Sequence, residues 1–570
     1  MPLPSDVSRR ELLASIAALG IGTATFHRAV AATVEMQAKN EPITPEMVKN
    51  AEWIAGVTLT DEERKSLAAS LTFLYQRTID ALRKTDVGYG VAPALVFTPV
   101  PGENAPKDVR GLVTPSKLAE PASRPQTDAD LAFLPLSQLA ELIRTRKISS
   151  MEITKISLDR LKKYDPALLC VVTLTEELAL KQAAQADQEI AAGKYRGPLH
   201  GIPWVAKDLI AYPGYKTTWG AGHFKDQTID VKATVAERLE AAGAVMTAKS
   251  TLGALAMGDR WFGGMTRNPW NVKTGSSGSS AGTASSVSAG LATFGLGSET
   301  LGSIVSPSSV CGATGLRPTF GRVSRHGCMA LCWSLDKIGP LARSVEDCAL
   351  VFGAIQGPDG KDGSVLDRPF QWPGTKPLKE YRVGYLEAQG KRPGAPEADL
   401  AVLKQLGVQL VPIALPQNGV QPAVSVILDV ESGAAFDDIT RAHVTEEIGR
   451  WPATFQRARF VSGVDYIRAQ RVRTLIMQEM ARVFDKVDAY VCNAGADLAL
   501  TNLTGHPTVC LPNGFRDNGT PTALTFTGKL FGETDLLTLA KAYQDATGHN
   551  KKRPPEETWV AEKKDAKKDK

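Results

Sequence analysis

Apolar residues set out a helical beginning and then an alternating helix and strand pattern. Leu67, Leu71, Leu74 and Tyr75 recur at helical spacing, and Thr60-Asp61-Glu62-Glu63 suits a helix start. The stretch from Ile43 to Lys84 is therefore expected to be helical. Tyr89 to Thr127 carries Pro93, Pro99, Pro101, Pro106, Pro115, Pro121 and Pro125, so an extended, irregular segment is expected there. From Leu136 onward helix and strand alternate. Ser149-Ser150-Met151-Glu152 reads as a capping box that opens a helix to Lys163. Leu168–Thr175 is a β-rich run, Glu176–Ala192 and Ala233–Ala242 read as helices, and Val245–Ala248 as a short strand. Tyr381–Tyr385 and Val408–Pro412 read as strands flanking a short helix, and Asp488–Val491 and Asn502–Pro507 lead back into the main sheet. Such alternation predicts an α/β fold, a large mixed sheet covered by helices. No internal repeat interrupts it.

A chain of 570 residues is long enough for one large core or for two to three smaller ones. Its net charge of +5 is concentrated late: Lys551 to Lys570 holds eight Lys/Arg against five Asp/Glu. A tail of this kind (551–570) is expected to be solvated and disordered. Its basic residues lack the interleaved aromatics of a nucleic-acid-binding segment, so no nucleic-acid partner is expected. The seven cysteines are odd in number and sparse, with no C-x-x-C pair and no zinc spacing. No metal or nucleotide motif is present, so neither cofactor nor metal site is expected. Ser8-Arg9-Arg10-Glu11-Leu12-Leu13 resembles the twin-arginine export motif; an apolar stretch to Phe26 and the small residues Ala29-Val30-Ala31 follow it. Residues 1–31 are thus expected to be a signal peptide, which implies a periplasmic or secreted protein. The alternative is a cytoplasmic chain with an amphipathic N-terminal helix. No other stretch is long and apolar enough to span a membrane. The expected divisions are residues 1–31, a helical and Pro-rich extension over 40–130, a main domain over 131–550, and the tail.

The densest chemistry lies between Asn268 and Arg325. Asn268-Pro269-Trp270-Asn271 precedes a Gly/Ser run from Thr274 to Thr283, and Gly297-Ser298-Glu299-Thr300-Leu301-Gly302-Ser303 follows it. Gly315-Leu316-Arg317-Pro318-Thr319 comes next. A flexible linker has no use for the apolar residues threaded through this segment, among them Val287, Leu291, Phe294 and Leu296. Glycines beside a serine let backbone N–H groups approach a reacting atom closely, as an oxyanion hole requires. In these motifs the chain resembles the amidase signature family, which hydrolyses carboxylic amides with a Ser–cis-Ser–Lys triad. Gly201-Ile202-Pro203-Trp204-Val205-Ala206-Lys207-Asp208 is similar to that family's box around its catalytic lysine. The resemblance covers roughly residues 131–550. It implies one α/β/α domain around a mixed, twisted sheet of about eleven strands.

The resemblance also implies roles. Ser303 is the nucleophile, Ser279, 24 residues earlier, the bridging serine, and Lys207 the base. Lys207 serves only when neutral, so its amine must be depressed by roughly 3 pH units from its usual value, which burial among uncharged hydroxyls supplies. The Gly278–Ser279 peptide is expected to be cis, and the backbone N–H groups of Thr300, Leu301, Gly302 and Ser303 to form the oxyanion hole. Two departures stand out. Glu299 and Leu301 replace the Asp and Gly common in the family, and Val305 stands where many members carry Arg. Leu301 keeps a usable backbone donor unless its φ is positive.

Gly278-Ser279-Ser280-Ala281-Gly282 also matches the short G-x-S-x-G pattern, with Ser280 as nucleophile and His326 or His506 as partner. The leading functional expectation is an amidohydrolase acting on a small-molecule amide. One alternative is the ammonia-releasing (A-type) component of a tRNA-dependent amidotransferase, suggested by Gly321–Gly327 and Ser334–Pro340. Another is a non-catalytic binding protein. Pocket walls are expected from loops in 212–265 and 420–475, with Trp261, Phe262, Trp333 and Trp451 as candidate lining.

Overall fold

The strands expected from the sequence form in a computed structural model that describes residues 41–85, 94–95, 111–118, 120, 122–387 and 394–559. The expected signal peptide, 1–31, lies outside the described residues. Chain contacts divide the protein into two compact units. One comprises the described residues within 96–417, 446–449 and 476–570, and the other those within 1–95, 418–445 and 450–475.

The first unit is built on an eleven-stranded mixed sheet. Its strands are β1 (Val171–Leu174), β2 (Pro203–Lys207), β3 (Val245–Ser250), β4 (Phe294–Glu299), β5 (Thr314–Arg317), β6 (Lys337–Ala342), β7 (Arg382–Leu386), β8 (Gln409–Ile413), β9 (Ala489–Asn493), β10 (Thr508–Phe515) and β11 (Pro521–Gly528). Their spatial order is β1-β3-β2-β4-β6-β5-β10-β11-β9-β7-β8. The central strands β2, β3 and β4 run parallel, while β6, β5, β10 and β11 continue antiparallel. Every residue of β2 and β3 is buried, as strands covered on both faces require. Helices Ser150–Leu168, Glu176–Ala191, Thr234–Ala241, Val345–Ile355 and Glu533–Thr547 belong to this unit. The Ser149 hydroxyl caps the first of them by accepting the Glu152 N–H at 2.9 Å. That helix runs five residues beyond the expected Lys163 and carries Pro166 inside it. Glu152 binds Arg124 at 2.8 Å instead of closing the box.

The second unit is helical. Pro45–Ala55 and Asp61–Phe73 are followed by a π-helical turn, Leu74–Ile79, and by Asp80–Lys84. Thr60 and Glu63 form a full capping box, which confirms the reading of that helix start. These helices do not stand alone as an extension. Arg457 clamps Asp429 at 2.9 and 2.8 Å and reaches Ser70 Oγ at 3.1 Å. The Tyr75 hydroxyl donates to the Phe460 carbonyl at 2.7 Å, and Arg83 pairs with Asp465 at 3.0 Å. Segment 420–475, read from the sequence as pocket-wall loops, thus holds the helices Val420–Ala435 and Trp451–Ala458. Short helices around buried apolar faces need partners, and these segments supply them to each other. Within the proline-rich stretch, Ala94 stays with the helices, donating its N–H to the Gln470 carbonyl at 3.2 Å, whereas the described residues from 111 onward belong with the sheet: Val113 bridges to Trp372, and Ser116 is held by Glu346 at 2.8 Å.

The expected disordered tail also needs correction. Its described part folds back onto the sheet unit. Trp559 is 7% exposed, donates its indole N–H to the Pro269 carbonyl at 2.7 Å, and meets Tyr164 edge-on at 4.9 Å. Glu556 pairs with Arg160 at 2.7 Å. Charge composition suggested solvation, and one buried tryptophan outweighs it. Trp559→Ala is expected to cost about 3 kcal/mol of stability, read as a lowered urea or thermal midpoint. An unchanged midpoint would show that this segment does not contribute to the core.

Candidate active site

Three local structures bring the site together. β2 and β4 are parallel neighbours in register, with Trp204 opposite Phe294 and Ala206 opposite Leu296. Their C-terminal ends therefore lie side by side, and Lys207 meets Ser298. The Gly/Ser run supplies the third side. The Gly278–Ser279 peptide is cis, and Ser280 then opens α1 (Ala281–Ser288). A Cβ on Gly278 would lie 1.9 Å from the Gly258 carbonyl oxygen, so only glycine fits there.

Lys207 is fully buried. Its Nζ lies 2.8 Å from Ser279 Oγ, 2.9 Å from Ser298 Oγ and 3.2 Å from Ser280 Oγ. Three neutral hydroxyls thus surround one amine, and among the described residues no carboxylate touches it. Burial pulls the ammonium down from 10.5 to about 7, against the upward pull of the more distant Asp336 and Glu299. The depression expected from the sequence is present, with the cause expected for it.

Ser303 sits in the turn between β4 and α2 (Val305–Cys311) and is partly exposed. Its carbonyl accepts the Ser280 N–H at 3.0 Å, which stitches this turn to the cis-serine segment. Gly302 has φ +93°, the conformation that favours glycine, whereas Leu301 is not among the residues with positive φ. Leucine at 301 is therefore unstrained. The N–H groups of Thr300, Leu301, Gly302 and Ser303 have no protein acceptor among the described residues.

Glu299 organises this turn. One carboxylate oxygen accepts the N–H groups of Ile304 and Val305 at 2.8 and 2.9 Å. The other accepts Arg317 at 2.7 Å and the Asn502 amide at 2.8 Å. Burial would raise this carboxyl, but Arg317 and Lys337 outweigh it and hold it at about 2. Arg317 is fully buried and also donates to the His506 carbonyl at 2.9 Å. Thr300 donates its hydroxyl to Asp336 at 2.6 Å, and Asp336 also accepts the Leu331 and Cys332 N–H groups. A cavity of about 320 Å³ opens beside Ser298 and Thr300, with Met329, Leu331 and Trp333 in its wall.

The G-x-S-x-G alternative fares poorly. Ser280 is fully buried, and its hydroxyl is held by the backbone of Ser298 at 3.2 Å. His506 is stacked on Phe484 at 4.8 Å and bonded to Thr504 at 2.8 Å. Burial, then Arg317, pushes it down to about 3, so it is a structural side chain. Of the aromatic pocket candidates, Trp333 lines the cavity, while Trp261, Phe262 and Trp451 do not.

The sequence missed Ser298, Asp336 and the Glu299–Arg317–Asn502 cluster. Ser298 carried a readable signal, since strand alternation sets it apart from its neighbours Gly297 and Glu299 at the end of a core strand. The partners of Glu299 are up to 203 residues away in sequence, and nothing local announces them.

A family model described as Amidase matches residues 152–501. The A-type component of the glutamyl-tRNA(Gln) amidotransferase of Thermosynechococcus vestitus is 34% identical over 472 residues, covering 73% of this chain and 98% of the relative. That of Carboxydothermus hydrogenoformans is 33% identical over 489 residues, 75% of this chain and 99% of its own. Among solved structures, the native peptide amidase from Stenotrophomonas maltophilia matches with a TM-score of 0.65 at 30% identity, covering 74% of this chain and 98% of that one. A bacterial aryl acylamidase matches with a TM-score of 0.66 at 21% identity, which speaks for the fold alone. The eleven-stranded sheet, the matched model and these relatives agree, and the chain belongs to the amidase signature family of enzymes that hydrolyse C–N amide bonds.

Proposed function

We propose that the chain hydrolyses a carboxylic amide through an acyl-enzyme on Ser303, with Ser279 as proton relay and neutral Lys207 as general base. The observation that carries this reading is the buried Lys207 amine, 2.8 Å from Ser279 Oγ and depressed to about 7. An amine neutral near physiological pH takes the Ser279 proton, and Ser279 takes that of Ser303. Ser303 Oγ then attacks the amide carbonyl carbon. The carbonyl oxygen gains charge within reach of the N–H groups of the Thr300–Ser303 turn. The proton returns through Ser279 to the departing nitrogen, the C–N bond breaks, and a water molecule hydrolyses the acyl-ester by the same relay.

A second reading is favoured by the curated relatives. Both are A-type components of glutamyl-tRNA(Gln) amidotransferases, and each is matched across nearly its whole length. On that reading the same triad releases ammonia for a partner protein rather than acting alone. The N-terminal helices are an observation on the other side: the family model begins at residue 152, downstream of Pro45–Ala55 and Asp61–Phe73, and about a quarter of the chain falls outside the match to the relative. Export rests on Arg9-Arg10 and Ala29-Val30-Ala31 alone, and it would separate the chain from tRNA. Ammonia release by the purified chain without any partner supports the hydrolase. Release that depends on an added partner supports the amidotransferase reading.

Ser303→Ala is expected to lower kcat/KM for amides by roughly 1,000-fold or more with the fold retained, whereas Ser280→Ala should leave a Ser303 acyl-enzyme detectable by intact mass. Activity of Ser303→Ala within about tenfold of the parent removes Ser303 as nucleophile.

Lys207→Ala should lose amide turnover far more than ester turnover, because an alkoxide leaves with less proton assistance than an amine. Lys207→Arg should not rescue it, since guanidinium stays charged at any workable pH. Near-normal amide turnover by the Arg variant would refute the neutral-lysine relay.

A further inference from the structure

The cavity beside Ser298 and Thr300 has charged residues in its wall, yet those charges are engaged within the protein. Arg325 donates Nε and Nη2 to the two Asp362 oxygens at 2.8 and 3.1 Å, Nη2 also to Ser364 Oγ at 2.8 Å, and Nη1 to the Trp333 carbonyl. Asp336 is filled by the Thr300 hydroxyl and two backbone N–H groups. Lys337 is buried, and its charge acts on Glu299. Lys361 stands at the exposed rim and pairs with Glu237 at 3.1 Å. The rest of the wall is largely apolar, with Leu209, Met329, Leu331, Trp333 and Ile338.

We propose that this cavity takes the uncharged, apolar part of a compact neutral amide and discriminates against free amino-acid amides such as glutamine and asparagine. The inference rests on the hydrolase reading above and names its substrate class. A free glutamine brings an ammonium and a carboxylate together. Each needs an opposite charge once water is removed, and an unmatched charge in such a site is strongly unfavourable. A carboxylate is ordinarily met by a guanidinium fork, and the fork of Arg325 already holds Asp362. His326 and Cys328 are the remaining titratable groups of the wall: the first offers a single ring where two opposite counter-charges are required, and burial pushes the Cys328 thiol up to about 12, so it stays neutral. The volume of about 320 Å³ is at the small end for a ligand site, which suits a short acyl chain or a single ring.

The test compares the purified full chain on hexanamide, on adipamate (the same chain ending in a carboxylate) and on glutamine. In parallel, 4-nitrophenyl hexanoate and mono-4-nitrophenyl adipate acylate the enzyme, followed by intact mass. Hexanamide is expected to exceed both adipamate and glutamine in kcat/KM by roughly 100-fold or more. Glutamine or adipamate within tenfold of hexanamide overturns the proposal. If no amide turns over but the hexanoate ester acylates Ser303 and the adipate ester does not, the hydrolase reading fails and the pocket assignment stands. Equal acylation by both esters overturns the pocket assignment, and acylation by neither overturns both. Asp362→Asn frees the Arg325 guanidinium and is expected to narrow the hexanoate-to-adipate gap by tenfold or more at an unchanged thermal midpoint. An unchanged gap in that folded variant contradicts the role given to the Arg325–Asp362 pair. Should the variant unfold, the parent comparison decides alone.

Discussion

Lys207 is fully buried with no counter-ion in contact with it among the described residues, and the rest of the site follows from that placement. An ammonium buried without a paired anion is strongly disfavoured, so the amine discharges its proton near neutral pH. Ser279, Ser280 and Ser298 satisfy its hydrogen bonds without compensating its charge. The arrangement costs stability. In the unfolded chain this lysine holds its proton up to about 10.5, whereas in the fold it lets go near 7. Between those values the unfolded state binds the extra proton, so this group's contribution to stability improves as pH rises through the window. At pH 7 the penalty is roughly 4 kcal/mol. On the proposed mechanism that penalty is what makes the amine a base at neutral pH, and an apolar replacement is expected to give a more stable protein without amide turnover.

The two carboxylates that act on this amine, Asp336 and Glu299, would spoil this if left free, because each pulls it back toward its charged form. Both are engaged elsewhere. Glu299 is held by Arg317, Asn502 and the first N–H groups of α2, and Asp336 by Thr300 and the Leu331–Cys332 backbone. The same contacts shape the turn that carries Ser303. By taking the N–H groups of Ile304 and Val305, Glu299 fixes where the helix begins. The four preceding N–H groups are then left without a protein acceptor among the described residues, as the proposed oxyanion hole requires.

Much of this was legible in the sequence. Five of the eleven strands, β1, β3, β7, β8 and β9, were readable as short apolar runs between clear turn residues, as at Val245 and Asp488, whereas the Gly- and Pro-containing β2, β4, β5, β6, β10 and β11 were not. The turns that carry the proposed triad were readable because tight backbone approaches force glycine, and Gly278 and Gly302 mark them. Charge patterns misled at the C-terminus, where Trp559 docks within a segment that composition reads as solvated. The pairing of 43–84 with 420–475 was hidden because it joins helices some 385 residues apart, as in the contact of Tyr75 with Phe460. Long-range polar clusters such as Glu299–Arg317–Asn502 were hidden for the same reason: no local period encodes a partner on another strand.

The central claim concerns the charge of one amine, and it is open to direct titration. With ¹³C- or ¹⁵N-labelled lysine, the Lys207 side-chain resonance, assigned by its loss in Lys207→Met, is followed from pH 5 to 11. A midpoint near 7, with the other lysines titrating above 9, is the expected result. A Lys207 midpoint above 9 would leave the amine charged at working pH and would contradict its role as the base.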